Sequence, residues 1–217
     1  HMICERRSNR APFDPHWHVV PHEVDAIIAA ARWAPTPHNM QNFALIVVQD
    51  PALLHELGSL HAPVSPVFVA ETAPLLSRSQ EELEHRQTGL LAVQFAGSGS
   101  SRPLAELIAG APLLLVVTYD ASQRAPASEH DVLGMIGLGC VLENMWLTAH
   151  ALHLDAQVVS SFSGECVEPS VKQLLAIPDA WRIAYVLRLG HAITAASGPR
   201  VRRDPQRFVH SDHFSKP

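Results

Sequence analysis

A chain of 217 residues that is 47% hydrophobic and 17% charged can bury one sizeable core, so we expect a single domain, with His1 and Met2 as a tag remnant and initiator. The net charge of −5 argues against nucleic acid as a partner, and three widely spaced cysteines favour reduced thiols in the cytoplasm over disulfides. No secretory leader follows the first residues, and the strongly apolar run at residues 111–119 is shorter than the roughly 20 residues of a bilayer span, so we expect no membrane partner.

The first part of the chain predicts a helix, a strand and a second helix. Apolar residues recur at helical spacing over residues 22–33, and Pro35 ends that helix. The run FALIVVQ at residues 43–49 predicts a buried strand, and Pro51 fits the first turn of the next helix. Between the first helix and the strand lies APTPHNMQNF at residues 34–43, which combines two prolines with three side-chain amides.

The middle of the chain predicts a covering segment and then the core. Residues 79–97 predict a polar helix that precedes the flexible sequence GSGSS, and this segment is a candidate lid. A short helix ending at Gly110 leads into a core strand over residues 112–119. Residues 131–153 are apolar on nearly all sides, which places this helix at the centre of the fold or against a partner chain.

The last part predicts two strands, a helix and an arm. Strands are expected over residues 157–162 and 181–190, with the helix VKQLLAI between them stopped by Pro178. From about residue 194 the chain is rich in Gly, Pro, Ser and Arg, which indicates an extended arm.

Familiar catalytic motifs are missing from the sequence, which has no G-x-S-x-G elbow, phosphate-binding P-loop or H-E-x-x-H pair. The GLG at residues 137–139 lies inside an apolar helix, so it indicates close helix packing rather than a dinucleotide site. His16, His18 and His22 follow no metal-ligand spacing and are expected in a solvated loop. Cys140 is expected to act as a small buried hydrophobe.

Two stretches carry groups suited to a ligand. RRSNR at residues 6–10 offers three guanidinium groups and a hydroxyl, which bind a phosphate dianion through charge-assisted hydrogen bonds, although a solvated basic turn fits equally well. In the second stretch, prolines stiffen the backbone while Asn39 and Gln41 offer donors and acceptors suited to a flat heterocycle with a polar edge. The alternative there is an ordinary helix-to-strand turn capped by Asn39.

Six segments in a fixed order carry a resemblance that covers nearly the whole chain. They are RRSNR at 6–10, AARWAPTPHNMQNF at 30–43, VVQDP at 47–51, ENMWLTAHALHL at 143–154, LLAIPDAWRIAYVLRLGHA at 174–192 and RRDPQRFVH at 202–210. Together they resemble the nitroreductase family of FMN-dependent oxidoreductases. The resemblance implies an α+β three-layer sandwich with a mostly antiparallel central sheet flanked by helices. It also implies a single domain over residues 3–217 and an intertwined homodimer with two FMN sites at its interface.

The resemblance also implies which residues bind the cofactor. The residues implied to bind the flavin phosphate lie in the N-terminal turn and the C-terminal arm: Arg6, Arg7, Ser8, Arg10, Arg202 and Arg203. The residues implied to line the isoalloxazine and the ribityl chain lie in the amide-rich stretch: Pro35, Thr36, Pro37, His38, Asn39 and Gln41. In the family this stretch often comes from the partner subunit. The backbone N–H group implied to lie near flavin N5 belongs to Ser160 or Ser161. Relatives commonly carry proline where this chain has Asn42.

The implied activity is hydride transfer from NADH or NADPH through FMN to a nitroaromatic, a quinone or a related small molecule, by ping-pong turnover. No side chain is assigned a catalytic role, because solvent can protonate the products. Contacts to the acceptor are expected from residues 60–100 and from Phe162. Two alternatives are a dedicated flavin-dependent biosynthetic oxidase or dehalogenase, and an FMN-binding protein without turnover or a dimer that binds another phosphate ligand.

Overall fold

The computed structural model describes residues 2–63, 101–196, 202 and 204–214, which fall into two compact units. The larger unit comprises residues 1–62 and 102–196, and the smaller comprises residues 63–101 and 197–217. The helix predicted over residues 79–97, the candidate lid and Arg203 lie outside the described residues. In the smaller unit, a short 3₁₀ turn at Pro205–Arg207 is capped by Asp204, whose carboxylate accepts a hydrogen bond from the Gln206 N–H.

The predicted elements that fall within the described residues occur in the predicted order, and three short elements that were not predicted are added to them. The helices are α1 Met2–Glu5, α2 Pro21–Arg32, α3 Pro51–Ser59, α4 Leu104–Ile108, α5 Val132–Ala151 and α6 Glu168–Leu174. The strands are β1 Ala44–Val48, β2 His61–Pro63, β3 Ser101–Pro103, β4 Leu113–Asp120, β5 Asp155–Val159 and β6 Trp181–Gly190. The three elements that were not predicted are α1, β2 and β3.

The central sheet has the strand order β1-β4-β6-β5, and every neighbouring pair is antiparallel. The strand β4 lies inside the sheet and is buried on both faces. Because successive side chains of a strand point to opposite faces, Leu113 and Leu115 enter one core whereas Leu114 and Val116 enter the other. This double burial explains why the sequence of β4 is apolar without alternation.

Helices cover both faces of the sheet. On one face, Ile27 of α2 and Met145 of α5 pack with the side chains of β4. On the other face, Leu57 of α3, Leu104 of α4 and Val171 of α6 form the second core. The result is the predicted α+β sandwich of three layers.

The helix α5 is buried along one side and exposed along the other. Its buried residues are Gly137, Leu138, Val141, Met145 and Ala149. Four large apolar residues near its start are exposed: Val132, Leu133, Met135 and Ile136. The segment Glu129–Ala151 is long and apolar enough to cross a membrane, with a mean hydropathy of 1.5, but a helix of a protein core meets the same criteria. Its buried side in the sheet core supports the prediction of a central helix.

One predicted strand ends earlier than expected. The pattern QVVSSF predicted a strand over residues 157–162, but β5 pairs with β6 only from Asp155 to Val159. Ser160 then adopts right-handed helical backbone angles and precedes a 3₁₀ turn at Ser161–Ser163. This turn places Phe162 in the second core, fully buried. The apolar residue that suggested a longer strand is therefore buried by a turn.

Replacing Glu168 with alanine is expected to lower the free energy of unfolding by about 3 kcal/mol. Its carboxylate is 4% exposed and accepts two hydrogen bonds of 2.7 Å, from the Ile183 N–H and from Nε of Arg182. Removing it leaves a buried donor and a cation without their acceptor. Urea unfolding of this variant and of Glu165→Ala, an exposed control three residues away, measures the difference. Equal loss in both variants contradicts the structural role of Glu168.

Candidate functional site

The turn at residues 6–10 is fixed to the edge of the sheet by Asn9, a residue that is only 1% exposed. The Asn9 Nδ2 donates to Oδ1 of Asp155 and to the carbonyl of Thr194, both at 3.0 Å. Its Oδ1 accepts from the Ala11 N–H at 3.1 Å. The side chain of Asn9 is thus fully used as scaffold, and the turn has a defined backbone from which its arginines extend.

Arg6 and Arg7 present guanidinium groups that are only partly satisfied. The Nε atoms of both are buried and have no hydrogen-bond partner among the described residues. Arg6 Nε lies 3.3 Å from Oε1 of Glu143, an ion pair without hydrogen-bond geometry, and its guanidinium carbon lies 4.3 Å from the Trp146 ring centroid. Arg7 Nη1 donates to the Ala196 carbonyl at 2.7 Å. Since buried donors are normally paired, these Nε atoms show that the described residues leave both guanidinium groups partly unsatisfied.

Two further predicted phosphate ligands, Ser8 and Arg10, lie on the same turn. Ser8 is half-buried and forms an isolated parallel bridge with Ala156 of β5, while Arg10 is exposed. The structure therefore brings Arg6, Arg7, Ser8 and Arg10 together at one edge of the sheet.

A fourth arginine at this turn was not anticipated from the sequence. Arg188 of β6 is 1% exposed, and its Nη2 donates to the carbonyls of Asn9 and Ala11, on either side of Arg10. The available signal was a charged residue in the middle of the apolar strand YVLRLG. Burying a charged side chain among apolar residues costs free energy unless the charge is paired. A charged residue at this position therefore indicates a structural or functional requirement.

The amide-rich stretch forms a tight turn with strained backbone. Three residues that are not glycine have positive φ: His38 at 50°, Asn39 at 54° and Gln41 at 50°. The Gln41 N–H donates to Oγ1 of Thr36 at 3.1 Å, and Gln41 Nε2 donates to Oδ1 of Asn39 at 3.2 Å. Left-handed backbone at such residues is uncommon and is concentrated at functional sites. The exposed amides of Asn39 and Gln41 contact each other and remain accessible to a ligand.

Asn42 has a separate, structural use. Its Oδ1 accepts from the Asp120 N–H and its Nδ2 donates to the Asp120 carbonyl, both at 3.0 Å. The side-chain amide thereby pairs with the end of β4 as a strand residue would pair through its peptide group. Of the three side-chain amides in this stretch, the structure leaves two for a ligand.

The two predicted halves of the site contact opposite sides of α5. The amide-rich stretch packs where α5 has a glycine: a Cβ at Gly137 would lie 3.3 Å from Cδ of Pro37. The arginine turn contacts α5 at Trp146, nine residues later. Nine residues are about two and a half helical turns, so the two contacts point in opposite directions and lie about 13 Å apart along the axis. Within one chain, the amide-rich stretch and the arginine turn therefore lie on different sides of α5.

The space behind the amide-rich stretch is too small for a flavin. A cavity of about 20 Å³ lies between this stretch and α5, lined by residues that include Thr36, Phe43, Tyr119 and Leu138. A water molecule fits such a volume, whereas an aromatic ring system does not. Any ligand bound by these amides must lie on their exposed side.

The remaining predicted site residues lie elsewhere. Ser160 is exposed and Ser161 is half-buried, both at the end of β5. Arg202 belongs to the smaller unit and is exposed. Among the described residues, no cluster of three or more His, Cys, Asp or Glu could hold a metal ion. The three cysteines, Cys4, Cys140 and Cys166, are free thiols.

Comparison with known proteins gives the family of this α+β chain. The sequence model that describes the nitroreductase family matches residues 3–191 of this chain. The chain therefore belongs to the nitroreductase family, as its motifs predicted, and is an FMN-dependent oxidoreductase by class. No curated protein sequence matches it.

Solved structures show the same fold at low sequence identity. A nitroreductase with bound FMN from Desulfitobacterium hafniense DCB-2 is 21% identical, with a TM-score of 0.62 over 97% of this chain and 96% of that one. A nitroreductase with bound FMN from Bacteroides fragilis NCTC 9343 is 18% identical, with a TM-score of 0.58 over 100% of this chain and 96% of that one. A protein from Bacteroides thetaiotaomicron VPI-5482, provisionally named NADH dehydrogenase/NAD(P)H nitroreductase, is 16% identical, with a TM-score of 0.66 over 98% and 96%.

Proposed function

We propose that this chain is a homodimeric, cytoplasmic flavoenzyme that binds FMN and transfers a hydride from NADH or NADPH to a small electron acceptor such as a nitroaromatic or a quinone. The observation that carries the proposal is the arginine turn. Two buried guanidinium Nε atoms lack hydrogen-bond partners among the described residues, beside an exposed third arginine and a half-buried serine. Guanidinium groups and a hydroxyl are the groups that bind a phosphate dianion through charge-assisted hydrogen bonds, so the residues present fit the cofactor.

Each residue of the site has a distinct task. Arg6, Arg7, Ser8 and Arg10 bind the phosphate, with Arg202 and Arg203 as further candidates from the C-terminal arm. When bound, FMN supplies the redox chemistry by accepting a hydride and passing electrons on. The amide-rich stretch, with Pro35, Thr36, Pro37 and His38 as its frame, directs Asn39 and Gln41 toward the polar edge of the flavin. Ser160 and Ser161 are positioned to offer a backbone N–H.

Two copies of the chain are needed for one complete site. The exposed apolar residues of α5 form a contiguous face for a partner, because Val132, Ile136 and Gly139 recur at helical spacing on one side. A Cβ at Gly139 meets no atom within 4 Å, which leaves space for close helix packing. A second copy on this face brings the amide-rich stretch of one chain to the arginine turn of the other.

Replacing Asn39 with alanine is expected to weaken FMN binding by about 2- to 10-fold, because one hydrogen bond to the ligand is lost. The fold is expected to stay intact, since Asn39 is exposed and, among the described residues, its side chain is hydrogen-bonded to Gln41 of its own turn. Titration by flavin fluorescence gives the dissociation constant, and thermal unfolding gives the stability.

Asn42→Ala is the matched control for that variant. It removes two hydrogen bonds to the backbone of Asp120 and should cost about 1 to 2 kcal/mol of stability, with the FMN affinity of the folded protein kept. If Asn39→Ala leaves affinity and flavin reduction unchanged, the amide-rich stretch is only a turn.

The function itself is tested in the purified full-length chain. A bound flavin gives a yellow protein with flavin absorption, and its absence contradicts the proposal. NADH or NADPH added without oxygen should bleach that absorption, and an added quinone or nitroaromatic should restore it. A yellow protein that neither reductant bleaches indicates the alternatives, a flavin protein without turnover or an oxidase that uses its flavin differently.

A further inference from the structure

Arg188 is a buried cation in an otherwise apolar part of β6. It lies in β6 between Leu187 and Leu189, which are fully buried, and it is itself 1% exposed. Among the described residues, no carboxylate forms an ion pair with it, and its Nε has no hydrogen-bond partner. An apolar side chain at this position would avoid the cost of removing a guanidinium from water.

The contacts of Arg188 are directed at the arginine turn. Nη2 donates to the carbonyls of Asn9 and Ala11 at 3.1 and 3.0 Å, and Nη1 donates to the carbonyl of Ile108 at 2.9 Å. The guanidinium carbon lies 4.4 Å from the ring centroid of Phe13. The guanidinium of Arg188 therefore fixes the backbone on both sides of Arg10 and connects it by hydrogen bonds to the end of α4.

The charge of Arg188 also acts on the turn. Burial, together with the nearby positive charge of Arg10, lowers the pKa of Arg188 to about 10, so the Arg188 guanidinium stays charged at neutral pH and is repelled by Arg10. Two like charges held close together are relieved by an anion that binds beside them. The buried guanidinium of Arg188 thus contributes a fixed positive electrostatic potential to the turn at residues 6–10, in which Arg10 is exposed.

We propose that Arg188 is the positioning residue of the phosphate subsite, which fixes the backbone around Arg10 and makes the turn select a flavin with a terminal phosphate over one without it. The proposal rests on the proposed FMN function and concerns a residue that does not touch the ligand. It assigns to Arg188 the discrimination between FMN and riboflavin, which differ only in that phosphate.

The test compares the two flavins in the full-length chain. Dissociation constants for FMN and riboflavin are measured by flavin fluorescence for the unmodified protein, Arg188→Met and Arg188→Lys. For Arg188→Met the FMN constant should rise about 10- to 100-fold, the loss expected for a charge-assisted interaction, while the riboflavin constant changes by less than about threefold. Arg188→Lys keeps a charge but cannot span three carbonyls, so its FMN constant should rise about 3- to 10-fold.

Arg182→Met is the matched control, because it removes the other arginine of β6, whose Nε is bonded to Glu168. It should lower stability without changing the ratio of the two constants. An equal rise for both flavins in Arg188→Met, or an unchanged FMN constant, overturns the proposal. If Arg188→Met does not fold, the lysine variant decides, and an unchanged ratio there overturns it. An unmodified protein that binds riboflavin as tightly as FMN contradicts the phosphate site itself, which is a different failure.

Discussion

Replacing Arg10 with alanine is expected to raise the dissociation constant for FMN by about 10- to 100-fold, equivalent to about 1.5 to 3 kcal/mol. Arg10 is the exposed arginine of the turn, so its loss removes a partner of the phosphate without opening a cavity in the core. Its backbone stays fixed, because Arg188 holds the carbonyls of Asn9 and Ala11. Flavin fluorescence titration of the full-length variant measures the effect.

Two further variants make that result specific. Arg10→Lys retains a positive charge and should recover part of the affinity, since lysine binds phosphate as a point charge without the planar fork of arginine. Lys172→Ala removes one positive charge from α6, where Lys172 bonds to the Asp179 carbonyl, and should leave the FMN constant unchanged. Undiminished flavin occupancy in Arg10→Ala, measured at limiting FMN, would refute the assignment of the turn.

Replacing Ile136 with aspartate is expected to weaken self-association by about a thousandfold and to release FMN together with it. Ile136 is 56% exposed on the apolar face of α5, and a symmetric interface meets each substitution twice. Two buried carboxylates at about 2 kcal/mol each give the expected loss. Flavin is expected to be lost as well, because in the proposed dimer each site takes its arginine turn and its amide-rich stretch from different copies.

Sedimentation across a range of protein concentrations, followed by flavin absorption, measures both consequences in one experiment. The control is Val20→Asp, which makes the same change at an exposed apolar residue preceding α2. Aspartate is a favoured residue at that helix boundary, so the control should remain dimeric and yellow. A monomeric Ile136→Asp variant that retains full flavin shows that one chain holds the cofactor alone, which contradicts the shared site.

Much of the fold was predictable because its signals are local. The strand over residues 181–190 and the helix over residues 22–33 were predicted to within a residue or so, since apolar periodicity and proline positions are read along the chain. The end of β5 was not, because whether Phe162 is buried by a strand or by a turn depends on pairing with β6. The family was also predictable, because six motifs occur in order.

The candidate site also contains residues that local sequence motifs identify and residues whose roles depend on distant contacts. Motif matching singled out the arginines and amides of two short segments, and these stay predictions until ligand binding is measured. Asn9, Asn42 and Arg188 were not assigned their scaffold roles, because each depends on a partner distant in the sequence. The sequence shows that a polar residue is present, while the contact that uses it exists only in the folded chain.

The pairing of Asn42 with Asp120 bears on how this enzyme should be engineered. The family resemblance suggests proline at position 42, so a design guided by that resemblance would introduce it there. Proline has no side-chain amide for Asp120, and it restricts the preceding residue to extended backbone, whereas Gln41 has φ of 50°. Proline at position 42 is therefore expected to destabilise this chain, because it removes the pairing at the end of β4 and conflicts with the backbone of the turn before it.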